Sequence, residues 1–235
     1  MKMNKIFATT VAAFISVSSF AQTVDEIVDK HIAAIGGADK LKSVNSIVTE
    51  TSLSVNGMDI PMVNTVLVNK ALRSESTVMG NSMVTVIDGT SGWMIRPTMM
   101  GGTGEPENLP ADQLKQQMGQ LDPFGPLFNY KEKGNKVELV GTEKVDKKDN
   151  YHLKITTKDG DVVDQYIDAN TFLVTKSKAS RNGQEAEISF SDYKTVDGIK
   201  IAHAMDISSQ MGNIAFITNK VKINGSVDEK IFKKP

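Results

Sequence analysis

The chain has 235 residues, with 27 lysine and arginine residues against 28 aspartate and glutamate residues, no cysteine and a formal net charge of −1. This near balance of charge gives no reason to expect nucleic acid as a partner, because phosphate binding relies on a clustered positive surplus. The absence of cysteine excludes disulfide bonds, so stability must come from the apolar core and from backbone hydrogen bonds.

The first 21 residues have the pattern of a secretory signal peptide. Lys2 and Lys5 form a positive start, residues 6–20 are mostly apolar, and Ser19-Phe20-Ala21 offers a small-x-small cleavage pattern. A membrane anchor is the weaker alternative, because the apolar run is short and interrupted by serine and threonine. We therefore expect a periplasmic protein that begins at Gln22 and forms a single domain over residues 22–235. Since Gln22 is not a cysteine, we expect no lipid anchor.

A helix is predicted directly after this cleavage site. Thr23-Val24-Asp25-Glu26 has the pattern of a capping box. Apolar residues then recur at helical spacing up to Ile35, and Gly36-Gly37 marks the end of the helix. His31 lies on or beside the apolar stripe, so a buried histidine bonded to backbone is favoured there over a catalytic one.

From Ile47 to Ile95 the apolar period becomes two, which is typical of strands. Asn56-Gly57 is a strong hairpin turn. In the strand that follows it, Val63 and Leu67 make the second face partly apolar, as if both faces were covered. Between residues 136 and 223, further strands are separated by short polar or Gly-containing turns, so neighbours should pair antiparallel. The total of roughly eleven strands predicts a mainly β fold with a few α-helices, built on one large curled antiparallel sheet.

One segment between the two runs of strands does not alternate. Residues 97–129 hold most of the prolines and three of the glycines within four residues, Gly101, Gly102 and Gly104. We expect flexible chain up to Asn108 and then a short helix that begins near Pro110. A long irregular connection in a β domain is usually functional or disordered. Because this one is rich in Met, Leu and Phe, we interpret it as a mobile lid over an apolar cavity.

The methionine content indicates an apolar ligand, because an unbranched thioether side chain adapts to irregular ligands. Ordinary core filling is the alternative for any single methionine. Clustering in and around the lid favours the ligand site, with Trp93 as a rigid rim. The residues predicted to cover or line the cavity are Trp93, Met94, Met99, Met100, Leu114, Met118, Phe124, Phe128, Met62 and Met83.

Patterns typical of enzymes are weak. His31, His152 and His203 lie in different predicted elements without metal-binding spacing. The two Gly-x-Ser sequences, at Gly80 and Gly89, lack the last glycine of a nucleophile elbow. We therefore expect no catalytic residue, no metal site and no cofactor, although an unfamiliar active site stays open.

Six stretches of the chain resemble the outer-membrane lipoprotein-sorting family, the LolA-like periplasmic carriers. They are residues 27–41, 88–93, 139–155, 166–168, 191–199 and 227–232. The resemblance implies an incomplete antiparallel barrel, or half β-barrel, whose concave face is covered by helices and a lid loop that hold acyl chains. In the best-known members an arginine of an early strand bonds to the lid, and by order along the chain Arg73 is the nearest match.

The resemblance and the apolar segment together favour a soluble periplasmic carrier. It would bind acyl chains of lipoproteins or other lipids and deliver them toward the outer membrane, with an inner-membrane donor protein and an outer-membrane acceptor protein as possible partners. Two alternatives remain: a scaffold module with a filled interior, and an enzyme that acts on an envelope lipid or glycan through buried carboxylates.

Overall fold

The computed structural model describes residues 22–55, 57–181, 184–210 and 212–235. The predicted signal peptide lies outside the described residues, as do Asn56, Asn182-Gly183 and Met211 of three predicted turns. The described part of the chain forms 13 strands, three α-helices and three short 3-10 helices.

The helices and strands follow one another in a simple order. The helices are α1 Val24–Ile35, α2 Ala38–Lys42 and α3 Ala111–Gln117, and the 3-10 helices are Thr98–Met100, Met118–Leu121 and Glu229–Phe232. The strands of the first half are β1 Ser46–Val55, β2 Met58–Leu67, β3 Ala71–Val78, β4 Asn81–Asp88, β5 Ser91–Ile95 and β6 Pro106–Asn108. Those of the second half are β7 Lys136–Val145, β8 Lys148–Thr156, β9 Val162–Asp168, β10 Val174–Arg181, β11 Gln184–Val196, β12 Ile199–Ser209 and β13 Gly212–Ile223.

All 13 strands belong to one antiparallel sheet with the order β6-β5-β4-β3-β2-β1-β13-β12-β11-β10-β9-β8-β7. The first and last strands pair with each other and join the two halves of the chain, whereas β6 and β7 lie at the two edges, so the sheet is not closed. The predicted mainly β, open antiparallel architecture is thereby confirmed. One strand was not foreseen: β6 lies where flexible chain was expected, and it pairs with β5 at the edge, where its proline is tolerated.

Helix α1 forms as its sequence predicts. The Thr23 hydroxyl accepts a hydrogen bond from the Glu26 backbone N–H, and the Glu26 carboxylate accepts one from the Thr23 N–H. Gly36 ends the helix with φ of 140°, and a Cβ placed there would lie 3.0 Å from the Gly198 carbonyl oxygen. Glycine at this position thus lets the helix end approach the start of β12.

The sheet curls around α1. Residues from strands far apart in the sheet, Ile47 of β1, Ile155 of β8 and Ile199 of β12, share one buried cluster with Ile27 and Ile32 of α1. The face that carries these residues is the concave face. We call the end of the sheet that holds α1 and α2 the helical end. The opposite end, where β1, β3 and β12 end and β2, β4 and β13 begin, is the hairpin end.

The C-terminal segment covers the convex face of β3 to β5. Phe232 is 2% exposed and shares a buried cluster with Val84, Val86 and Trp93. The Trp93 indole Nε1 donates to the carbonyl oxygen of Phe232 over 2.9 Å. Leu67 of β2 packs against the same cluster, so this segment accounts for the apolar character predicted at that position, whereas Val63 on the same face is 43% exposed.

His31 is buried, as expected. Its burial should make the stability of the protein depend on pH. Its Nδ1–H donates to the carbonyl oxygen of Phe172 over 2.8 Å. Burial holds the pKa of His31 below its ordinary value of 6.5, because the apolar surroundings disfavour the imidazolium. Between the ordinary value of 6.5 and the lower pKa of the folded state, His31 therefore binds a proton more readily in the unfolded chain than in the folded one. The free energy of unfolding consequently falls as the pH is lowered through this interval.

We expect the free energy of unfolding, measured with urea, to fall more between about pH 7.5 and pH 5.5 in the natural protein than in His31→Gln. The glutamine variant has no proton to bind in this range at this position, so its pH dependence should be flatter. Equal pH dependence in the two proteins would contradict a neutral, buried His31.

Candidate functional site

A row of apolar side chains crosses the concave face at the hairpin end. Ile60, Leu53, Phe216, Met205 and Phe190 are directly paired across β2, β1, β13, β12 and β11. All five are half-buried. Nearer the hairpin end a second row follows on β13, β12 and β11, made of Ile214, Ile207 and Ile188. We call these eight residues the open apolar rows.

The helices leave the open apolar rows uncovered. Helix α1 packs against β7 and β12 at the helical end, and the 3-10 helix Met118–Leu121 packs against β3. Within the described ranges, Phe190 alone among the eight residues packs against a buried cluster. A contiguous half-exposed apolar surface on a concave face is a favourable place to bury hydrocarbon, at about 25 cal/mol per Å² removed from water.

Between these rows and the helical end, the concave face carries a belt of polar side chains. By strand pairing the belt contains Thr49, Thr51, Asn64, Ser74, Ser76, Thr85 and Thr218. Thr51 and Ser76 are buried, with 6% and 4% of their surfaces exposed. Along β1 and β13 the concave face therefore changes from apolar to polar and back to apolar, while Met62, Met83 and Met94 interrupt the belt on β2, β4 and β5.

His203 lies in the polar belt. It is on the same concave face of β12 as Ile201 and Met205 and stands between them. Its Nδ1–H donates to the Thr218 carbonyl oxygen over 2.8 Å, and the side chain is 6% exposed. The buried Nε2 atom has no hydrogen-bond partner among the described residues. Leaving such an atom unpaired costs roughly 1–3 kcal/mol, so the site is suited to a ligand group or a water molecule that bonds to Nε2.

The ten residues predicted to bind the ligand do not converge on one site. Three of them lie on the open concave face, Met62, Met83 and Met94. Phe124 and Phe128 meet edge to face in the main core, with ring centroids 5.6 Å apart, and Leu114 packs beside Leu72, Ile87 and Leu121. The side chains of Met99, Met100 and Met118 are exposed by 55%, 45% and 36%.

Trp93 lies on the opposite face of the sheet from Leu114, so the two residues do not border the same space. It pairs with Val86, whereas the neighbouring Gly92 pairs with Ile87 on the concave face. A Cβ at Gly92 would come within 3.2 Å of Leu114 Cδ1. Trp93 therefore packs against the C-terminal segment and does not border the concave face, where the sequence predicted it as the rim of the cavity.

Arg73 also contacts the C-terminal segment. Its Nη1 donates to the Ile231 carbonyl oxygen over 3.2 Å, its Nη2 pairs with Glu75 over 2.8 Å, and its guanidinium lies 5.9 Å from the Trp93 ring centroid. Within the described part of the chain, Arg73 makes no hydrogen bond or ion pair to residues 97–129. Arg73 therefore does not make the arginine-to-lid bond that the family resemblance implies.

The segment predicted as a lid is tied to the sheet at several points. Strand β6 pairs with β5, Leu109 is 8% exposed, and the Leu121 carbonyl oxygen accepts from the Asn69 N–H over 2.8 Å. At Gly102 the chain folds back so closely that a Cβ would lie 2.0 Å from the Arg96 carbonyl oxygen. These contacts hold the segment against β3 to β5.

Two residues of this segment should respond differently to the same substitution. Leu114→Asp places a carboxylate against Leu72 and Ile87, so we expect it to lower the free energy of unfolding by about 2 kcal/mol or more. Met118→Asp changes a side chain that is 36% exposed, and its effect should stay within about 0.5 kcal/mol. Urea unfolding of both variants measures the difference, and similar losses would contradict this packing.

The described residues contain no group of three or more His, Cys, Asp or Glu side chains arranged to hold a metal ion. Of the helices described, none is long and apolar enough to cross a membrane.

No protein-family model matches this sequence, and no curated protein matches it either. Solved structures do match. A DUF1329 family protein from Desulfovibrio piger superposes with a TM-score of 0.60 at 13% identity, over 89% of this chain and 97% of that one. A putative outer membrane lipoprotein-sorting protein domain from Vibrio parahaemolyticus gives 0.59 at 15% identity, over 89% and 95%.

A LolA superfamily protein from Nitrosomonas europaea likewise gives a TM-score of 0.59 at 16% identity, over 91% of this chain and 99% of that one. Similarity at this level of identity concerns the fold. The chain therefore has the LolA-like fold, a curled antiparallel sheet that does not close, which confirms the resemblance seen in the sequence. None of the three structures is described as an enzyme.

Proposed function

We propose that this protein is a periplasmic carrier that binds the acyl chains of a lipoprotein or another lipid on the open half of its concave face. The observation that carries the proposal is the row of Ile60, Leu53, Phe216, Met205 and Phe190. Five neighbouring strands present these side chains side by side, half-exposed and without a covering helix. The predicted signal peptide and the LolA-like fold support the same function, which needs no catalytic residue.

The apolar rows and the polar belt suit the two parts of an amphiphile. Burial contributes about 0.8 kcal/mol per methylene group, so a chain of about fourteen carbons gains on the order of 10 kcal/mol before the costs of immobilisation. In this arrangement the acyl chain lies on the open apolar rows. The polar linkage of the lipid reaches the belt, where an amide N–H or hydroxyl of the lipid donates to His203 Nε2 and the threonine hydroxyls donate to its carbonyl oxygens.

Four exposed methionines lie at the hairpin end and support this end as the entrance. Met58, Met79, Met99 and Met100 have 47%, 70%, 55% and 45% of their surfaces exposed. Met99 reaches the β3–β4 connection, where its sulfur lies 3.2 Å from Asn81 Nδ2. Unbranched side chains at the entrance would adapt to different lipids during loading from an inner-membrane donor and release toward an outer-membrane acceptor.

Native mass spectrometry of the protein released gently from its own cell envelope tests this function. We expect a bound species of lipid or lipoprotein mass that organic extraction removes and that purified lipid restores. A protein that is isolated without such a species, and that takes up no lipid from vesicles, would overturn the proposal.

A further inference from the structure

Seven neighbouring strands have uncharged connections at the hairpin end. These strands, β12, β13 and β1 to β5, are contiguous in the sheet. Asp, Glu, Lys and Arg make up 23% of the chain, yet the stretches that contain these connections hold none of them, over residues 51–58, 76–87, 97–104 and 207–219. We define the uncharged rim as residues 55–58, 78–81, 97–104 and 209–212.

The lack of charge is confined to this part of the structure. At the helical end of the same strands, Lys70 lies between β2 and β3, Asp88 ends β4, and Asp197 lies between β11 and β12. At the hairpin end, the connections of the remaining strands are charged again, with Arg181 at the end of β10 and Lys158 among two aspartates between β8 and β9. The uncharged rim is therefore a distinct surface.

The charged residues nearest to the rim give it no basic surplus. Asp59 and Asp206 alternate with Ile60 and Met205 of the open apolar rows, so they lie on the convex face. Arg96 and Glu105 flank the third stretch of the rim. With three carboxylates and one guanidinium around it, the rim is not suited to attract anionic lipids by charge.

The uncharged rim exposes apolar side chains. Of the nine large apolar residues that are exposed in the described part of the chain, four belong to the rim, and all four are methionines. Met99 of the 3-10 helix reaches Asn81 of the β3–β4 connection, so methionines from separate connections lie close together. An exposed apolar patch of this kind is typical of an interaction surface.

Met79 is unfavourable for the fold by itself. It is the first residue of the two-residue turn between β3 and β4, where Val78 pairs with Asn81. Met79 and Gly80 have φ of 49° and 78°, as in a type I′ turn, which favours Asn, Asp or Gly at its first position. Met79 is also 70% exposed. Neither turn geometry nor core packing accounts for a methionine here, whereas an apolar contact outside the chain does.

We propose that the uncharged rim docks on the surface of a lipid bilayer. Its methionine side chains lie in the boundary between head groups and acyl chains, and its Ser, Thr, Asn and Gly residues face the head groups. A protein partner is disfavoured, because protein interfaces draw much of their binding energy from aromatic and arginine anchors and the rim has none. If the proposed carrier function holds, a docked protein would take an acyl chain from the bilayer past Ile60 onto the open apolar rows.

Flotation of the purified protein with phosphatidylcholine vesicles tests the proposal. We expect the protein to float with these neutral vesicles, and the bound fraction at about 500 mM potassium chloride should stay within about twofold of that at about 50 mM, because the contact is apolar. Absence of binding to the vesicles would overturn the proposal, as would binding that high salt abolishes.

A double variant tests the methionines. Met79→Asn combined with Met99→Ser should weaken vesicle binding about tenfold or more, because binding scales with the apolar area buried. Met118→Ser, at an exposed methionine outside the rim, is the matched control and should bind within about twofold of the natural protein. Equal losses in the two proteins, or no loss in the double variant, would reject the rim as the docking surface.

Two further measurements separate docking from folding and from the carrier function. Met79→Asn alone should have an unchanged or higher melting temperature, because asparagine suits the turn, so a folding defect cannot explain its weaker docking. Titration of a fluorescent fatty-acid analogue without vesicles should give the same affinity for the double variant and the natural protein. Fatty-acid binding without vesicle docking would reject this inference alone, and vesicle docking without fatty-acid binding would reject the carrier function alone.

Discussion

Phe216→Asp is expected to abolish binding of an acyl probe while the protein stays folded. Phe216 is half-buried in the middle of the open apolar rows, directly paired with Leu53 on one side and Met205 on the other. A carboxylate there would have to lose water when a hydrocarbon chain covers it, at a cost of several kcal/mol. Because Phe216 does not pack against the buried clusters of the described residues, stability should fall by no more than about 1 kcal/mol.

The neighbouring position offers a matched control. Ile217 is on the convex face and is 47% exposed, so Ile217→Asp makes a comparable change on the other side of the same strand. Titration of a fluorescent fatty-acid analogue should show retained binding for Ile217→Asp and none for Phe216→Asp, with urea unfolding as the check on stability. If the two variants bind alike, the open apolar rows are not the ligand site.

Phe232→Ala should cause the largest loss of stability of the substitutions considered. Phe232 is 2% exposed and closes the convex face over Val84, Val86 and Trp93. Truncation of a buried phenylalanine to alanine typically costs about 3–5 kcal/mol. Phe216→Ala, at a half-exposed position, should cost clearly less.

The only tryptophan of the chain reports on the same contact. Trp93 is 5% exposed and bonds to the Phe232 carbonyl oxygen, so loss of the phenyl ring should shift native tryptophan emission toward longer wavelengths. Urea unfolding and native-state fluorescence measure the two effects. A Phe232→Ala protein with unchanged emission, and with stability within about 1 kcal/mol of the original, would show that the C-terminal segment is not part of the core.

The parts of the fold that sequence predicts best are those set by local chemistry. The capping box at Thr23 determines where α1 begins, and the glycines after Ile35 determine where it ends; both signals lie within a few residues of the helix ends. Alternation and turn residues predict most strands, and the short connections predict antiparallel pairing. The apolar second face of β2 correctly indicates a cover at Leu67 but not at Val63, which is 43% exposed, and the pattern does not say what covers Leu67.

The candidate site depends on contacts between distant parts of the chain. In the sequence, Trp93 is an apolar residue beside the predicted lid, yet its hydrogen-bond partner Phe232 lies 139 positions later. Likewise, the row from Leu53 to Phe216 exists only through strand register and the pairing of β1 with β13. Alternation identifies such residues as inward-facing, but only the placement of the helices decides which inward-facing residues stay uncovered.

Residues that are close together within 97–129 pack in different places in the structure. Leu114 packs on the concave face, whereas Met99 and Met100 are exposed to solvent. Density of Met, Leu and Phe marks a segment that packs against something. It does not separate side chains that fill the core from side chains that meet a ligand.

The most direct test of the central claim is photo-crosslinking with a fatty acid that carries a diazirine near the end of its chain. Peptide mapping should place the crosslinks on the open apolar rows, at or next to Leu53, Ile60, Met205 and Phe216, and an excess of unlabelled lipid should suppress them. Crosslinks confined to the convex face or to the helical end, with the open apolar rows unlabelled, would contradict the claim that the concave face carries the acyl chain.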